Sequence, residues 1–246
     1  MTKKLLIAAG ILAVILVVAV VKYLHSNIDS IVKSAIEKVG SEMTGVSVDV
    51  DDVTLALAEG RGEIGGIEVG NPRGYKGPYA INLGSIVLAI DPASVTKDVV
   101  VIRELTVEAP DIVYDKGANG TNLEAIQANI DEYSKTHAAG EDTAKGDGAA
   151  AKRLIVESLQ IRNGKIRLPD RDRVIDLPPL SMRDIGKSRG GMTGSEIASI
   201  VVKQMTQATV SSVARGAAQD AVREAVDEKV GEKVGEKKED LRRRRR

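Results

Sequence analysis

IRELTVEAPDIVYDKGANGTN, residues 102–122, decides how the rest of the chain is read. Ile102, Leu105 and Val107 belong to a first strand. Ala109-Pro110 breaks it, because proline has no N–H to give to a ladder. Ile112-Val113-Tyr114 is a second β-prone run, and Gly117 with Asn119-Gly120 then turns the chain into a helix. The pattern recurs without a gap when Ile102/Leu105/Val107/Pro110/Ile112 is set against Val156/Leu159/Ile161/Gly164/Ile166. A fainter copy is Ile64/Ile67/Val69/Pro72. The copies are unevenly spaced, which excludes a regular solenoid. True structural repetition and the general likeness of β-strands both explain the matches.

Before this stretch the apolar period is two. Val46, Val48 and Val50 alternate with Ser47, Asp49 and Asp51, and Val53, Leu55 and Leu57 alternate with Thr54, Ala56 and Ala58. Ile64, Ile67 and Val69 follow, then the turn Asn71-Pro72-Arg73-Gly74, then Leu83, Ile86, Leu88 and Ile90 up to Asp91-Pro92. One face is apolar and the other small or polar, the mark of a sheet covered on one side. After the stretch, Thr121-Asn122-Leu123-Glu124 is a capping box for a short helix with Leu123, Ile126 and Ile130 inward. Residues 135–152 have no period and read as a surface loop. Residues 154–168 read as a hairpin turning at Asn163-Gly164, followed by short strands around Pro178-Pro179. Thr193-Gly194-Ser195-Glu196 is a second capping box, opening a helix with Ile197, Ile200, Val201, Met205 and Ala208. That helix can run on through Val222, Val226 and Val230, with Gly216 as a weak point.

At the start, Lys3-Lys4 lead an apolar run over residues 5–24. About 20 residues make a helix of roughly 30 Å, the thickness of a hydrocarbon core. The run is longer than a signal-peptide core, and its end is too β-branched for a good cleavage site, so a retained signal-anchor is expected. Lysines flank the run on both sides, and the leading Lys3-Lys4 favour a cytoplasmic N-terminus. Residues 26–40 form an amphipathic pattern through Ile28, Ile31, Val32, Ala35, Ile36 and Val39, with Asp29, Lys33, Ser34, Glu37 and Lys38 on the other face. It is expected to cover the following sheet; lying on the membrane surface is the alternative.

The 246 residues carry 35 basic and 35 acidic side chains, so no net field draws in nucleic acid or an acidic substrate. Absence of Cys excludes disulfides and thiol chemistry. Phe and Trp are absent too, which removes the stacking platforms of single-strand binders. Gly60-Arg61-Gly62-Glu63-Ile64-Gly65 spells GxGxxG, but a strand follows where a nucleotide site needs a helix, so the glycines read as a hairpin turn. His25 and His137, the only histidines, have no partners at metal or general-base spacing. Asp49, Asp51 and Asp52 lack the glycine and distal Glu of a calcium loop. Asp170-Arg171-Asp172 is expected to make local ion pairs, and Asn119-Gly120-Thr121, a glycosylation sequence, is explained by turn and cap needs. No catalytic residue, metal ligand or cofactor site is expected, and the chain is read as not an enzyme.

In this order, the anchor, the helix ending EKVGSEMTG, the run IRELTVEAPDIVYDKGANGTNLEAI, then VESLQIRNGKIRL, LPPLSMRDIG and GGMTGSEIASIVVKQM, the chain resembles the AsmA-like group of bacterial envelope proteins, relatives of bridge-like lipid transfer proteins. The resemblance covers roughly residues 5–205. It implies a single-pass inner-membrane protein with its bulk in the periplasm, handling phospholipid or serving outer-envelope assembly through an apolar β-groove. The chain is shorter than the long members of the group.

The expected fold is α+β: one N-terminal transmembrane helix, then a curved, mostly antiparallel sheet with a few packing helices and a C-terminal helix. The expected divisions are 1–25 for the signal-anchor, 26–45 for the amphipathic helix, 46–192 for the β-rich domain with a loop at 135–152, 193–235 for the C-terminal helical region and 236–246 for a charged tail. Val53, Leu55, Leu57, Ile86, Leu88, Ile90, Leu105, Val107, Leu159 and Ile161 are candidates to line either a lipid groove or a closed core. Expected partners are the membrane and phospholipid, with a protein partner or self-association through the C-terminal helix as the second reading. No nucleic acid is expected.

Overall fold

A computed structural model describes residues 28–137 and 152–243. The anchor, His25 and most of the expected 135–152 loop lie outside these residues. Among the described residues no helix is long and apolar enough to cross a membrane. The fold is α+β. Helix α1 (28–44) is followed by strands β1 (Val48–Ala56), β2 (Arg61–Gly70), β3 (Tyr79–Ile90), β4 (Val99–Glu108) and β5 (Asp111–Val113). The two-residue strands β6 (Lys116–Gly117) and β7 (Gly120–Thr121) lead into α2 (Asn122–His137). Then come β8 (Arg153–Arg162), β9 (Lys165–Leu168), β10 (Arg173–Asp176), β11 (Leu180–Ile185) and the long helix α3 (Gly194–Arg243). Residues 135–137, expected in a loop, are the last of α2, and α3 extends past the expected boundary at 235.

Nine strands form one mixed sheet. The β1–β2, β2–β3, β3–β4, β3–β5, β8–β11 and β9–β10 pairings are antiparallel. Two seams are parallel: β4 with β8, and β5 with β9. In both, each residue pairs with the one 54 positions later, Ile102 with Val156, Val107 with Ile161 and Ile112 with Ile166. The gap-free sequence repeat is therefore the register of the parallel seam. The excursion through α2 supplies the crossover that parallel neighbours require.

The expected hairpin at Asn163-Gly164 does not exist. β8 pairs with β4 and β11, and β9 with β5 and β10, but not with each other. Asn163 takes a left-handed conformation (φ 58°) that kinks one continuous strand path, as Ala109 (φ 48°) does at the matching position of the first copy. The Ala109 N–H donates to the Arg162 carbonyl at 2.9 Å, and the Lys165 N–H to the Pro110 carbonyl at 2.7 Å, so the two kinks are stitched together.

These kinks belong to a line that crosses the sheet. The registers put Asp51 opposite Gly66, Gly66 opposite Gly84, and Gly84 opposite Ala109. Gly66 has φ 38°, and a Cβ there would strike the Asp51 carboxylate. A Cβ at Gly84 would sit 3.0 Å from the Glu108 carbonyl oxygen. At this line the two-residue alternation slips by one. Apolar inward positions run Val48, Val50, then Val53, Leu55; Ile64, then Ile67, Val69; Ile81, Leu83, then Ile86, Leu88; and Val107, then Pro110, Ile112. Ile64 and Ile67 thus flank the line as Val107 and Pro110 do, and the alignment of Pro72 with Pro110 is not the structural one. Bulges of this kind also bend and twist the strands.

Helix α1 runs along β1, the outermost strand on that side. The β1 backbone N–H groups of Leu55, Val50 and Val48 donate to Asp29 Oδ1 (2.9 Å), Glu37 Oε1 (3.2 Å) and Ser41 Oγ (2.9 Å). Lys33 Nζ donates to the Asp51 carbonyl at 2.9 Å. Asp29, Lys33, Glu37 and Ser41 are four apart, so they form one stripe on the helix. This part of the polar face satisfies the free edge of the sheet. Val32, Ile36 and Met43 pack on the core beside it.

Both capping boxes form. The Thr121 N–H donates to Glu124 Oε2 (2.8 Å) and the Glu124 N–H to Thr121 Oγ1 (3.2 Å). Thr193 and Glu196 repeat the pattern at 2.9 and 3.2 Å. Leu57 is not in a strand but in the 3-10 turn Leu57–Glu59, because the chain reverses there into Arg61, opposite Ala56. Only Gly60 of the GxGxxG sequence lies in that reversal; Gly62 and Gly65 are inside β2.

Replacing both Asp29 and Glu37 by Ala is expected to cost about 1–3 kcal/mol, since two edge N–H groups lose charged acceptors. It should also raise aggregation on warming, since the edge strand is uncovered. Urea denaturation and light scattering measure the two effects. Ala109→Val, which forces a β-branched residue into a left-handed conformation, is expected to destabilise by about 1–2 kcal/mol, whereas Asn163→Gly should not destabilise.

Candidate functional site

The apolar face of the sheet is roofed by all three helices. α2 contributes Leu123, Ile126 and Ile130, α3 contributes Ile197 and Met205, and α1 contributes Val32 and Ile36. Under this roof one cross-strand row reads Val53, Ile64, Ile86, Val107, Ile161, Leu180, and the next reads Leu55, Gly62, Leu88, Leu105, Leu159, Met182. Of the candidate lining residues, Val53, Ile86, Val107, Leu159 and Ile161 are buried. Leu55, Leu88, Ile90 and Leu105 are half-buried. The side chain of Leu57 lies outside the described set.

Burial is thus uneven along the strands. The centre of the face is closed. Toward the β1–β2 turn, Leu55, Leu88, Ile90, Ile102 and Leu105 form a contiguous half-buried strip on β1, β3 and β4. Leu55 and Leu88 meet over Gly62: a Cβ there would stand 2.8 Å from a methyl carbon of each. The strip lies at the end of the sheet where α1 begins, because Asp29 bonds Leu55.

The opposite face carries a shallow depression of about 450 Å³, edged by Arg61, Glu63, Glu104, Glu108 and Arg162 over Thr54, Val87 and Thr106. Arg162 pairs with Glu108 at 2.8 Å. Charges of both signs neutralise one another on its rim, while its floor also includes Ala56, Leu88 and Ala89.

The far end of residues 102–122 folds into a buried polar knot that the sequence reading did not foresee. Asn122, fully buried, donates from Nδ2 to the Val113 carbonyl (2.7 Å) and to Asn71 Oδ1 (3.0 Å), and accepts the Asp115 N–H (3.1 Å). Asp115 accepts the Lys76 N–H at 2.5 Å. Through Asn71 and Lys76 the knot clamps the 71–77 loop against the start of α2. Asp170, expected to pair locally, instead meets Lys76 Nζ at 2.6 Å, which joins the β9–β10 connection to the same loop. Asp170 also holds the Lys76 ammonium above the usual lysine range, through its hydrogen bond first and its charge second. Among the described residues no group of three or more His, Asp or Glu is placed to hold a metal ion. His137 is the last residue of α2. Ala118-Asn119 forms the turn between β6 and β7, and Gly120-Thr121 is β7 itself.

A second depression, about 410 Å³, lies between β11 and the first turns of α3. Met182 and Ile200 form part of its floor, and Arg183, Ser188, Arg189 and Gln204 its rim. The glycine- and Lys/Arg-rich sequence of residues 186–191 was visible, but its position beside Met182 follows only from the pairing of β11 with β8.

Leu159→Asp, which buries an unpaired carboxylate in the closed centre, is expected to abolish folding. Val87→Asp, on the exposed opposite face, should stay within about 0.5 kcal/mol of the parent. Asn122→Ala is expected to cost about 2–4 kcal/mol, because three backbone or amide partners are left unpaired in the interior. Circular dichroism and urea denaturation separate the three outcomes.

No protein-family model matches the chain, and comparison with curated proteins and with solved structures returns no significant match.

Proposed function

We propose that the chain is a non-catalytic, membrane-anchored protein of the AsmA-like kind, with its bulk in the periplasm of a bacterial envelope, and that it handles phospholipid at the membrane-proximal end of its sheet. The observation that carries this reading is the half-buried apolar strip Leu55, Leu88, Ile90, Ile102 and Leu105 at the end where α1 begins. Residue 28 already belongs to α1. An anchor ending at residue 24 leaves three intervening residues, four Cα–Cα steps that span at most about 14 Å. The strip then faces the bilayer surface. An acyl chain that leaves the bilayer for such a strip keeps the transfer free energy of about 0.8 kcal/mol per buried CH₂. The closed centre restricts the reading to partial uptake of a chain at one end, rather than passage along the whole sheet.

Native mass spectrometry of the detergent-extracted full chain is expected to show bound phospholipid, reduced by Leu88→Ser with Leu105→Ser. A lipid-free wild-type chain overturns the reading. An alkaline phosphatase fused to the C-terminus is expected to be active, and a C-terminal reporter that works only in the cytoplasm overturns the orientation.

One observation favours a second reading, self-association. Beyond the Arg173–Asp220 ion pair, α3 runs on for 23 residues, about 35 Å. Val222, Val226 and Val230 stand four apart on it and are 64, 52 and 55% exposed. Residues 220–228 hold one basic and four acidic side chains, while residues 229–246 hold nine basic and four acidic. An antiparallel pair of these arms from two copies sets acidic against basic along a valine seam. Light scattering of the solubilised chain is expected to report a dimer that Val226→Asp dissociates; a monomeric parent chain removes this reading.

A further inference from the structure

The depression between β11 and α3 is built differently from the one on the polar face. Arg183 and Arg189 are among its lining residues, and no carboxylate is. Arg189 is partly committed, with Nη1 3.4 Å from Glu196 Oε1. The neighbouring Lys187 is fully committed to Asp184 at 2.7 Å, and that pairing raises its ammonium above the usual lysine range. Arg183 is exposed and, among the described residues, has no ion pair or hydrogen bond to another side chain. The Ser188 hydroxyl and the Gln204 amide, both exposed, likewise have no hydrogen-bond partner among the described residues. Three uncommitted polar groups therefore rim a floor that includes the apolar side chains of Met182 and Ile200. Guanidinium, hydroxyl and amide N–H are donors, and a planar guanidinium forks onto two oxygens of a phosphate.

Position adds a second argument. Met182 pairs with Leu159, Leu159 with Leu105, and Leu105 with Leu88. The depression thus ends the cross-strand row that carries Leu55, Leu88 and Leu105 of the half-buried strip, with the buried Leu159 between them, at the end of the sheet where α1 begins. Polar donors few in number over an apolar floor are the usual make-up of a small-molecule site.

We propose that this depression binds a phosphate-bearing anion, with Arg183 as the principal ligand and Ser188 and Gln204 completing the donor set. The phosphate comes either from a phospholipid headgroup or from a free phosphate ester; the apolar floor favours the headgroup. The inference rests on the lipid-handling reading above and locates the headgroup that accompanies the chain at the strip.

The test is calorimetric titration of the full chain in non-ionic detergent with four probes: inorganic phosphate, glycerol 3-phosphate, dihexanoyl phosphatidylglycerol and dihexanoylglycerol. Arg183→Gln, an exposed substitution that should leave thermal melting unchanged, is expected to weaken the phosphate-bearing probes at least tenfold and leave dihexanoylglycerol unaffected. Arg171→Gln, on the β9–β10 connection, is the control and should change nothing. Tightest binding of dihexanoyl phosphatidylglycerol identifies the lipid headgroup as the source, and equal binding of glycerol 3-phosphate identifies a free ester; either supports the site. Equal affinity of parent and Arg183→Gln for every phosphate-bearing probe overturns it, as does failure of all of them to bind. Retained dihexanoylglycerol binding in that case leaves lipid handling standing without this site, whereas loss of both acylated probes removes both.

Discussion

A strand can present apolar side chains to one face only while its two-residue alternation is unbroken, and here that alternation is broken at a common level across the central strands. The line through Asp51, Gly66, Gly84, Ala109 and Asn163 lets both ends of every strand keep Val, Ile and Leu under the helices. A slip in one strand alone would turn half of its apolar residues outward while its neighbours kept theirs inward. The slips must therefore coincide, and the residues there are those that tolerate left-handed backbone or the close approach of a carbonyl or carboxylate. With no Phe or Trp to fill gaps, the core depends on this agreement between strands more than one rich in aromatics does.

The helices complete what the slips prepare, but unequally. α2 and the first half of α3 close the centre, where Leu159, Ile161, Ile126 and Ile130 are almost wholly buried. α1 spends its polar stripe on the edge of β1 and its apolar stripe on the core margin, which fixes both the direction in which the chain enters the domain and the end that stays half-covered. The two depressions differ accordingly. The one on the polar face has mutually neutralising rims; the one beside α3 has cationic groups left over.

Much of this was legible in the residues. The three-residue gaps between Ile64 and Ile67 and between Val107 and Pro110 are the slips themselves, and the gap-free match of residues 102–112 with 156–166 is the parallel register. The capping boxes read correctly because both partners lie within one turn of helix. Asn163-Gly164 misled, because a dipeptide suited to positive φ serves a kinked strand as well as a hairpin, and only the identity of the neighbouring strands separates the two. The polar residues of α1 mark the limit of such patterns: periodicity tells which side chains share a face, but not whether that face meets water or unpaired N–H groups. The donors around Arg183 come from β11, the loop after it and α3, so their proximity is a product of tertiary structure that no local pattern records.

The in-register parallel seam also has a bearing on how such a sheet grows. A unit that pairs with its own copy at zero offset is a lattice element: duplication of about 54 residues adds one kinked strand path, and the sheet widens by roughly 4.8 Å. Growth is directional. The β1 side is sealed by side chains of α1, so addition proceeds from the β8–β9 side. There β10 and β11 run antiparallel and end the series, much as terminal repeats with a different outer face end a solenoid. In that sense the domain is a two-step segment with one finished margin and one stopped margin, and its width is set by where β10 and β11 fall in the chain.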